Sequence, residues 1–294
     1  MSFIPMIINL ENNKKSSEAA IKYFLIQAIA SAIVIFSSLY FYLFSGYSFT
    51  VTPNIIITLA LAIKLGIAPF HFWFPEVLEG LNWINRLLLL TWQKISPLVI
   101  LSIFFQPKVL ITLAIISALT GAISGINQTS IRKILAFSSI SHLGWISRLI
   151  YFNSSLWLNY FYIYTFTSFI LCFSFWKLNL NYFSQLTLVQ NVNEKFIIFV
   201  NILSLGGLPP LLGFFPKWIA IIVIRNNFPI LIILIASRLI TLYFYTRLCF
   251  STFTLYIQRI LWFKKNKISK NFYLLRTLTL FSLIGIIPIS LINL

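Results

Sequence analysis

The sequence is dominated by long apolar runs, and this pattern constrains the fold more than any single motif. A helix of about 20 apolar residues is long enough to cross a lipid bilayer. About nine such windows follow one another along the 294 residues, with no soluble domain between them. The predicted spans are 21–44, 52–74, 84–105, 108–126, 131–151, 156–176, 196–224, 229–257 and 272–293. With 59% hydrophobic and 9% charged residues, we expect an all-α polytopic membrane protein forming one domain over 1–294.

The distribution of basic residues between the loops predicts the orientation of the chain in the membrane. Loops on the side of the N-terminus hold most of them, and the opposite loops hold little beyond Lys108 and Arg225. By the positive-inside rule, the N-terminus is expected on the cytoplasmic or matrix side, and nine spans place the C-terminus opposite. Because short membrane loops account for the net charge of +17, nucleic acid is not an expected partner. The basic residues on the N-terminal side are Lys14, Lys15, Arg132, Lys133, Lys177, Lys195, Arg259, Lys264, Lys265, Lys267 and Lys270.

One helix-breaking pattern occurs twice, in the second and seventh spans. A G-x-x-P sequence is followed by a second proline six residues after the first, at Gly66, Pro69 and Pro75 and at Gly207, Pro210 and Pro216. Spans five apart run in opposite directions, so the pattern predicts an inverted repeat with two broken helices, as in many transporters. Glycine and proline are also common in membrane helices, so a chance match is the alternative. The seventh span is expected to form two half-helices joined by a loop.

Three lysines lie near these breaks. Lys64 and Lys94 fall within apolar spans and Lys217 directly follows the second break. A lysine at the centre of a membrane helix costs roughly 2.5–3.5 kcal/mol, so it normally faces a polar interior or a pathway. Burial favours the neutral form of an ammonium group, which would allow proton exchange. We therefore predict a proton relay through Lys64, Lys94 and Lys217 with His142 as a titratable link. The alternative is that each lysine is a static charge bound to backbone carbonyls.

The sequence offers few ligands for a redox cofactor or a metal. His71 and His142 are the two histidines and Cys172 and Cys249 the two cysteines, all in apolar segments. Two isolated histidines cannot supply the paired axial ligands of a multi-haem cytochrome, and there is no cysteine cluster for iron–sulfur chemistry. The cysteines fit packing thiols. We predict neither a bound cofactor nor a metal in this chain.

Four longer strings resemble a known family. They are AIKLGIAPFHFWFPEV (62–77), LLLLTWQKISPL (87–98), GINQTSIRKILAFSSISHLGWI (125–146) and SLGGLPPLLGFFPKW (204–218). Together they resemble the chain 2 family of mitochondrial NADH–ubiquinone oxidoreductase, in its invertebrate form, and weaker similarity extends from Phe3 to near the C-terminus.

The resemblance implies an antiporter-like membrane subunit of respiratory complex I, multi-pass in the mitochondrial inner membrane. It implies two inverted five-helix repeats, here about 1–105 and about 108–257, followed by a C-terminal helix at about 272–293. Lys64 and Lys94 match the family's central lysines of the first half-channel, and Lys217 matches that of the second. NADH, FMN, iron–sulfur clusters and ubiquinone would be bound by other subunits, which with the lipid bilayer would be the partners.

Two departures from the family pattern stand out. The family's first carboxylate lies before the segment that aligns with Met1, and Glu18 matches a different glutamate. The first repeat is therefore expected to be incomplete at its N-terminus, through real loss or a start placed too late. In addition, Arg86, Arg148 and Arg238 lie in or beside spans where relatives carry small residues, and methionine occurs only twice. A mitochondrial gene translated with the wrong code would explain both, because invertebrate mitochondria read AGA and AGG as serine and ATA as methionine.

Three functions remain open at this stage. The first is a proton-conducting subunit of a redox-driven pump, with no redox centre of its own. The second is a subunit of a multi-subunit cation/proton antiporter, which would share the broken helices and lysines. The third is a non-pumping structural subunit, which an incomplete first half-channel would favour.

Overall fold

The computed structural model describes residues 14–43, 51–152, 155–187, 189, 192–225, 227–254 and 272–283. Over these residues the chain forms helices and turns, with one isolated bridge between Ser130 and Tyr182. The helices are α1 (Lys14–Leu43), α2 (Val51–Leu65), α3 (Trp73–Gly80), α4 (Trp83–Leu90), α5 (Trp92–Ile103), α6 (Pro107–Gly125), α7 (Ile131–Tyr151), α8 (Leu156–Leu178), α9 (Phe183–Thr187), α10 (Val192–Gly206), a 3₁₀ turn (Leu212–Phe214), α11 (Phe215–Ile224), α12 (Phe228–Thr254) and α13 (Phe272–Leu283).

Five helical stretches are long and apolar enough to cross a membrane. Shorter apolar helices, Pro53–Leu65 and Leu212–Ile224, flank the predicted breaks. The prediction of an all-α polytopic membrane protein is therefore confirmed. The five stretches are Lys14–Leu43, Trp83–Ile103, Pro107–Gly125, Leu156–Leu178 and Phe228–Phe250.

Helix α7 lies at the centre of the bundle. Every side chain from Ile134 to Ile150 is buried. Its serine hydroxyls donate to backbone carbonyls one turn earlier, as Ser138 does to Leu135 and Ser141 to Ser138, which satisfies them without water. His142 therefore occupies the middle of a helix that is surrounded by protein.

Small residues bring α6 and α7 close together. A Cβ atom on Gly121 would lie 2.6 Å from the backbone nitrogen of Ser141, and one on Gly144 would lie 2.8 Å from the carbonyl oxygen of Ala114. Glycine is needed at both positions because the backbone of the partner helix occupies the space of a side chain. Close backbone approach at small residues is the usual way in which membrane helices associate.

Two predicted spans differ from the observed helices. The second span was expected to run to residue 74, but α2 ends at Leu65 and the chain turns before α3. The third span was expected to be continuous over 84–105, but it divides at Thr91, which has φ −115° and ψ −74°. Pro97 lies inside α5, but its ring crowds the carbonyl of Gln93, four residues earlier, so it does not by itself place the division at Thr91.

The remaining predicted spans agree with the helices to within a few residues at most ends, and the seventh consists of α10 and α11 on either side of a loop. The first helix begins at Lys14, about two turns before the expected start. The prediction for 284–293 and for the basic loop 258–271 lies outside the described residues. The division of the chain into an incomplete first repeat and a second repeat stays a prediction.

Candidate functional site

The first break ends α2 through a left-handed glycine. Gly66 has φ +70°, a conformation that side chains of L-residues rarely adopt. Its N–H donates to the carbonyl of Ile63 at 3.2 Å, and the next N–H, of Ile67, donates to Ala62 at 3.0 Å. This pair of hydrogen bonds defines a Schellman helix ending. The G-x-x-P pattern therefore begins at the residue that stops the helix.

The second break has the same geometry. Gly207 has φ +71°, its N–H donates to Ser204 at 2.8 Å, and the N–H of Leu208 donates to Leu203 at 3.3 Å. Each of the two G-x-x-P patterns thus corresponds to the same type of helix ending, followed by a turn and a new helix. The sequence pattern predicted a break at both places, and the structure has one at both.

Each ending frees a backbone carbonyl that a distant side chain then binds. At the first break, Gln27 of α1 donates to the carbonyl of Lys64 at 3.2 Å. At the second, the ammonium nitrogen of Lys217 donates to the equivalent carbonyl, of Leu205, at 2.6 Å. An unpaired carbonyl inside a membrane protein is costly, so both contacts stabilise the breaks.

A second cation shares the Leu205 carbonyl. Arg238 of α12 donates to it through Nη2 at 2.8 Å. Because Lys217 Nζ and Arg238 Nη2 contact one oxygen, at 2.6 and 2.8 Å, they are at most 5.4 Å apart, the sum of the two distances. Two positive charges at that separation repel by about 3 kcal/mol at an effective dielectric constant of 20.

Lys94 lies in the first turn of α5, directly after the division at Thr91. Its side chain is 3% exposed, and its ammonium nitrogen has no hydrogen-bond partner among the described residues. The nitrogen lies 5.0 Å from the centre of the Phe74 ring and 5.5 Å from that of Tyr164. Phe74 also packs against Gly66, where a Cβ atom would lie 3.1 Å from the Cβ of Phe74. Lys94 is thus held between aromatic rings beside the first break.

His142 joins the two breaks through tyrosines of α8. Its Nδ1 is 2.8 Å from the hydroxyl of Tyr160, and its ring centre is 5.0 Å from that of Tyr164. Tyr164 therefore contacts both His142 and Lys94. On the other side, a cavity of about 10 Å³ is lined by His142, Tyr160 and Lys217, which is close to the smallest space that holds one water molecule.

The structure therefore brings Lys94, His142 and Lys217 into one buried region, whereas Lys64 and His71 lie at its edge. Lys64 is only partly buried. His71 lies in the turn after the first break, where its Nδ1 is 3.3 Å from the carbonyl of Pro69 and its ring stacks on Phe72. Whether these groups exchange protons stays a prediction.

Sequence reasoning missed Tyr160 and Tyr164. Three tyrosines alternate along α8 at 160, 162 and 164. The helical period alone determines which of them lie on the same face of the helix. Positions 160 and 164 are four residues apart and share a face, while Tyr162 is 73% exposed. The spacing alone could have indicated a polar pair inside the bundle.

Comparisons with known proteins place the chain in a family. Residues 1–242 match the family described as NADH:quinone oxidoreductase/Mrp antiporter, TM. A chain of respiratory complex I from Thermus thermophilus has the same fold with a TM-score of 0.84, at 22% identity, over 98% of this chain and 70% of its own. The Mrp complex of a Dietzia species gives a TM-score of 0.72 at 17% identity, over 80% of this chain and 50% of its own. At such identities the likeness is one of fold.

The sequence relatives distinguish between these two classes. NADH-ubiquinone oxidoreductase chain 2 of the mosquito Anopheles gambiae is 44% identical over 300 aligned residues, which cover 99% of this chain and 88% of the relative. The aligned residues therefore span nearly the whole of the chain described above. The chain belongs to the NADH–ubiquinone oxidoreductase chain 2 family.

Proposed function

We propose that this protein is a core membrane subunit of a proton-pumping NADH:ubiquinone oxidoreductase. It conducts protons through a buried path that includes Lys94, His142 and Lys217, with Lys64 at its edge. Electron transfer in other subunits drives the conduction. The observation that carries the proposal is the burial of Lys94 and Lys217, at 3% and 4% exposure, beside two helix breaks of the same geometry.

The residues support proton transfer in distinct ways. The ammonium group of Lys94 lies between two aromatic faces, which stabilise a cation without neutralising it. Lys217 donates to the Leu205 carbonyl at 2.6 Å, which fixes the position of its ammonium group at the second break. His142 lies between the two and has a second ring nitrogen, Nε2, without a hydrogen-bond partner among the described residues. A proton held on one lysine thus has a titratable group on the way to the other.

The rest of the assembly follows from this role. NADH, FMN, the iron–sulfur clusters and ubiquinone are bound by other subunits, and this chain contains no redox centre. Among the described residues, no three histidine, cysteine or acidic side chains come together as a metal site. The chain is multi-pass in the mitochondrial inner membrane, with the N-terminus on the matrix side and the C-terminus facing the intermembrane space.

The test replaces one buried lysine in the assembled complex. Lys94→Met retains the length and apolar stem of the side chain and removes the charge. Reconstituted in liposomes, the variant complex is expected to lose NADH-driven proton pumping. Lys108→Met is the matched control, because Lys108 is exposed at the start of α6. Undiminished pumping by the Lys94 variant would refute the proposed path.

An antiporter subunit is the second candidate, and the fold alone fits it. The Mrp complex shares the architecture at a TM-score of 0.72. The full-length similarity to a chain 2 protein, at 44% identity, favours the oxidoreductase. Copurification of the chain with NADH dehydrogenase activity would support the first candidate, and its absence from such a complex would support the antiporter.

A further inference from the structure

Among the described residues, Tyr160 is the one side chain hydrogen-bonded to His142. The two are buried, with 1% and 4% of their surfaces exposed, and the hydroxyl lies 2.8 Å from Nδ1. The other imidazole nitrogen, Nε2, has no hydrogen-bond partner among the described residues. The tautomer of a neutral histidine is set by the hydrogen bond that one of its nitrogens makes. The protonation pattern of His142 therefore depends on Tyr160.

The same tyrosine lines the cavity shared with Lys217. Thr167 and Ser204, which also line this cavity, direct their hydroxyl hydrogens to backbone carbonyls of their own helices. Both hydroxyls are therefore already engaged within their own helices, whereas the hydroxyl of Tyr160 is paired with His142.

We propose that Tyr160 is a positioning residue of the proton path, which donates its hydroxyl hydrogen to Nδ1 and keeps the histidine proton on Nε2. This inference rests on the proposed function and adds a residue to it. In this arrangement the tyrosine stays neutral, and its hydrogen bond orients the imidazole between Lys94 and Lys217. Only the imidazole and the lysines gain or lose protons.

The experiment compares two tyrosines of α8 in the assembled, reconstituted complex. Tyr160→Phe keeps the ring and removes the hydroxyl, and Tyr162→Phe makes the same change on the exposed face. At metal sites, removing the group that orients a histidine lowers metal affinity or activity roughly 10- to 100-fold, which sets the scale expected here. We expect Tyr160→Phe to slow NADH-driven pumping by roughly tenfold and to change its pH profile, with Tyr162→Phe unchanged.

A double substitution tests whether Tyr160 acts through His142. If it does, Tyr160→Phe causes no further loss in a His142→Gln background. An additional loss there, normal pumping by Tyr160→Phe, or failure of that variant to assemble would each overturn the assignment. None of these results bears on Lys94→Met, so a failure of this inference is distinguishable from a failure of the proposed function.

A separate observation concerns three arginines inside the bundle. Arg148 has no exposed surface, and none of its three guanidinium nitrogens has a hydrogen-bond partner among the described residues, although the group lies 4.5 Å from the Tyr151 ring and 4.8 Å from the Phe152 ring. Arg86 is equally buried; it donates to the carbonyls of Leu78 and Leu81 and lies over the Trp83 ring, but its Nη1 has no hydrogen-bond partner among the described residues. Arg238 is partly buried, donates to Thr241 at 3.2 Å and shares the Leu205 carbonyl with Lys217. Buried charges in proteins are normally paired or fully hydrogen-bonded.

Other arginines of the same chain have the expected surroundings. Arg132 donates through Nε to Asn181 at 3.0 Å and through Nη1 to the carbonyl of Glu79 at 2.7 Å. Arg247, which is exposed, donates to the carbonyl of Ile126 at 3.0 Å. These two therefore serve as controls for what an arginine needs in this fold.

We infer that the mature protein carries serine at positions 86, 148 and 238, which at 238 would remove the second cation, and its repulsion of Lys217, from the Leu205 carbonyl. Serine would fit the buried helices as the existing serines of α7 do, by donating to a carbonyl of its own helix. The explanation is the codon table, since AGA and AGG encode serine in invertebrate mitochondria, and the Anopheles relative is an insect protein.

Peptide mass spectrometry of the protein and sequencing of its gene test this inference separately at each position. Peptide mass spectrometry of the mature chain is expected to find serine at 86, 148 and 238 and arginine at 132 and 247. The gene is expected to have AGA or AGG at the first three positions and CGN at the two controls. An arginine-containing peptide, or a CGN codon, at any of the three positions refutes the inference for that position.

Discussion

Gly207→Ala tests the link between the second helix break and the buried lysine. The backbone φ of +71° is unfavourable for alanine by roughly 1–2 kcal/mol. The added Cβ would also lie 2.8 Å from both Lys217 Nζ and Arg238 Nη2, and 3.0 Å from the carbonyl oxygen of Gly213. Real Cβ atoms essentially never lie within 3.0 Å of another heavy atom, so both cationic groups must shift, and we expect their contacts with the Leu205 carbonyl to weaken.

The expected cost combines the two effects. Loss of a hydrogen bond to a charged group costs about 1.5–3 kcal/mol, which with the backbone strain gives roughly 2.5–5 kcal/mol. Gly206→Ala is the matched control, because its Cβ would meet only Tyr245, at an ordinary 3.5 Å. We expect Gly207→Ala to lower both the thermal inactivation midpoint and the pumping rate of the reconstituted complex. Equal values for the two variants would refute the reasoning.

Three further substitutions test other parts of the structure. Gly121→Ala should destabilise the complex by about 1–3 kcal/mol, because the partner helix leaves no room for a methyl group; an unchanged inactivation midpoint would contradict this. Trp73→Phe removes the hydrogen bond from Nε1 to the carbonyl of Ile63 at 3.2 Å and should cost about 0.5–1.5 kcal/mol by the same assay. An unchanged inactivation midpoint would show that this bond contributes nothing to stability. Glu79→Gln breaks the ion pair with Lys133 at 2.9 Å, whose side chains are 31% and 33% exposed, and should cost at most about 1 kcal/mol, less at high salt. A larger loss would mean that this pair is buried in the assembly.

The helix breaks were predictable from the sequence to very different degrees. The breaks at Gly66 and Gly207 carry a local signal, because only glycine readily adopts the left-handed ending and proline follows it. The division at Thr91 has no such local signal, since threonine is ordinary in membrane helices and the nearest helix-breaking residue, Pro97, lies six residues later inside α5. A proline marks a disturbance nearby without fixing which turn changes.

The site was predictable in its charges but not in its connections. Lys94, His142 and Lys217 stood out because titratable residues are rare in apolar spans. Their common neighbours, Tyr160 and Tyr164, depend on how α7 and α8 pack, which no local pattern specifies. For Lys64, apolar neighbours in sequence did not imply full burial, because the helix ends one residue later and the chain turns away.

The Schellman ending at Gly207 has an electrostatic consequence for a chain with 22 lysines and arginines and only five acidic residues. The C-terminal end of a helix carries roughly half a negative elementary charge, supplied by its unpaired carbonyls. At Leu205 this end of α10 faces Lys217, so the backbone itself acts as a counter-charge inside the membrane. At the first break the equivalent carbonyl binds the neutral amide of Gln27 instead. A counter-charge made of peptide groups cannot be protonated, so it is present at every pH, and the lysine is the only member of the pair that titrates.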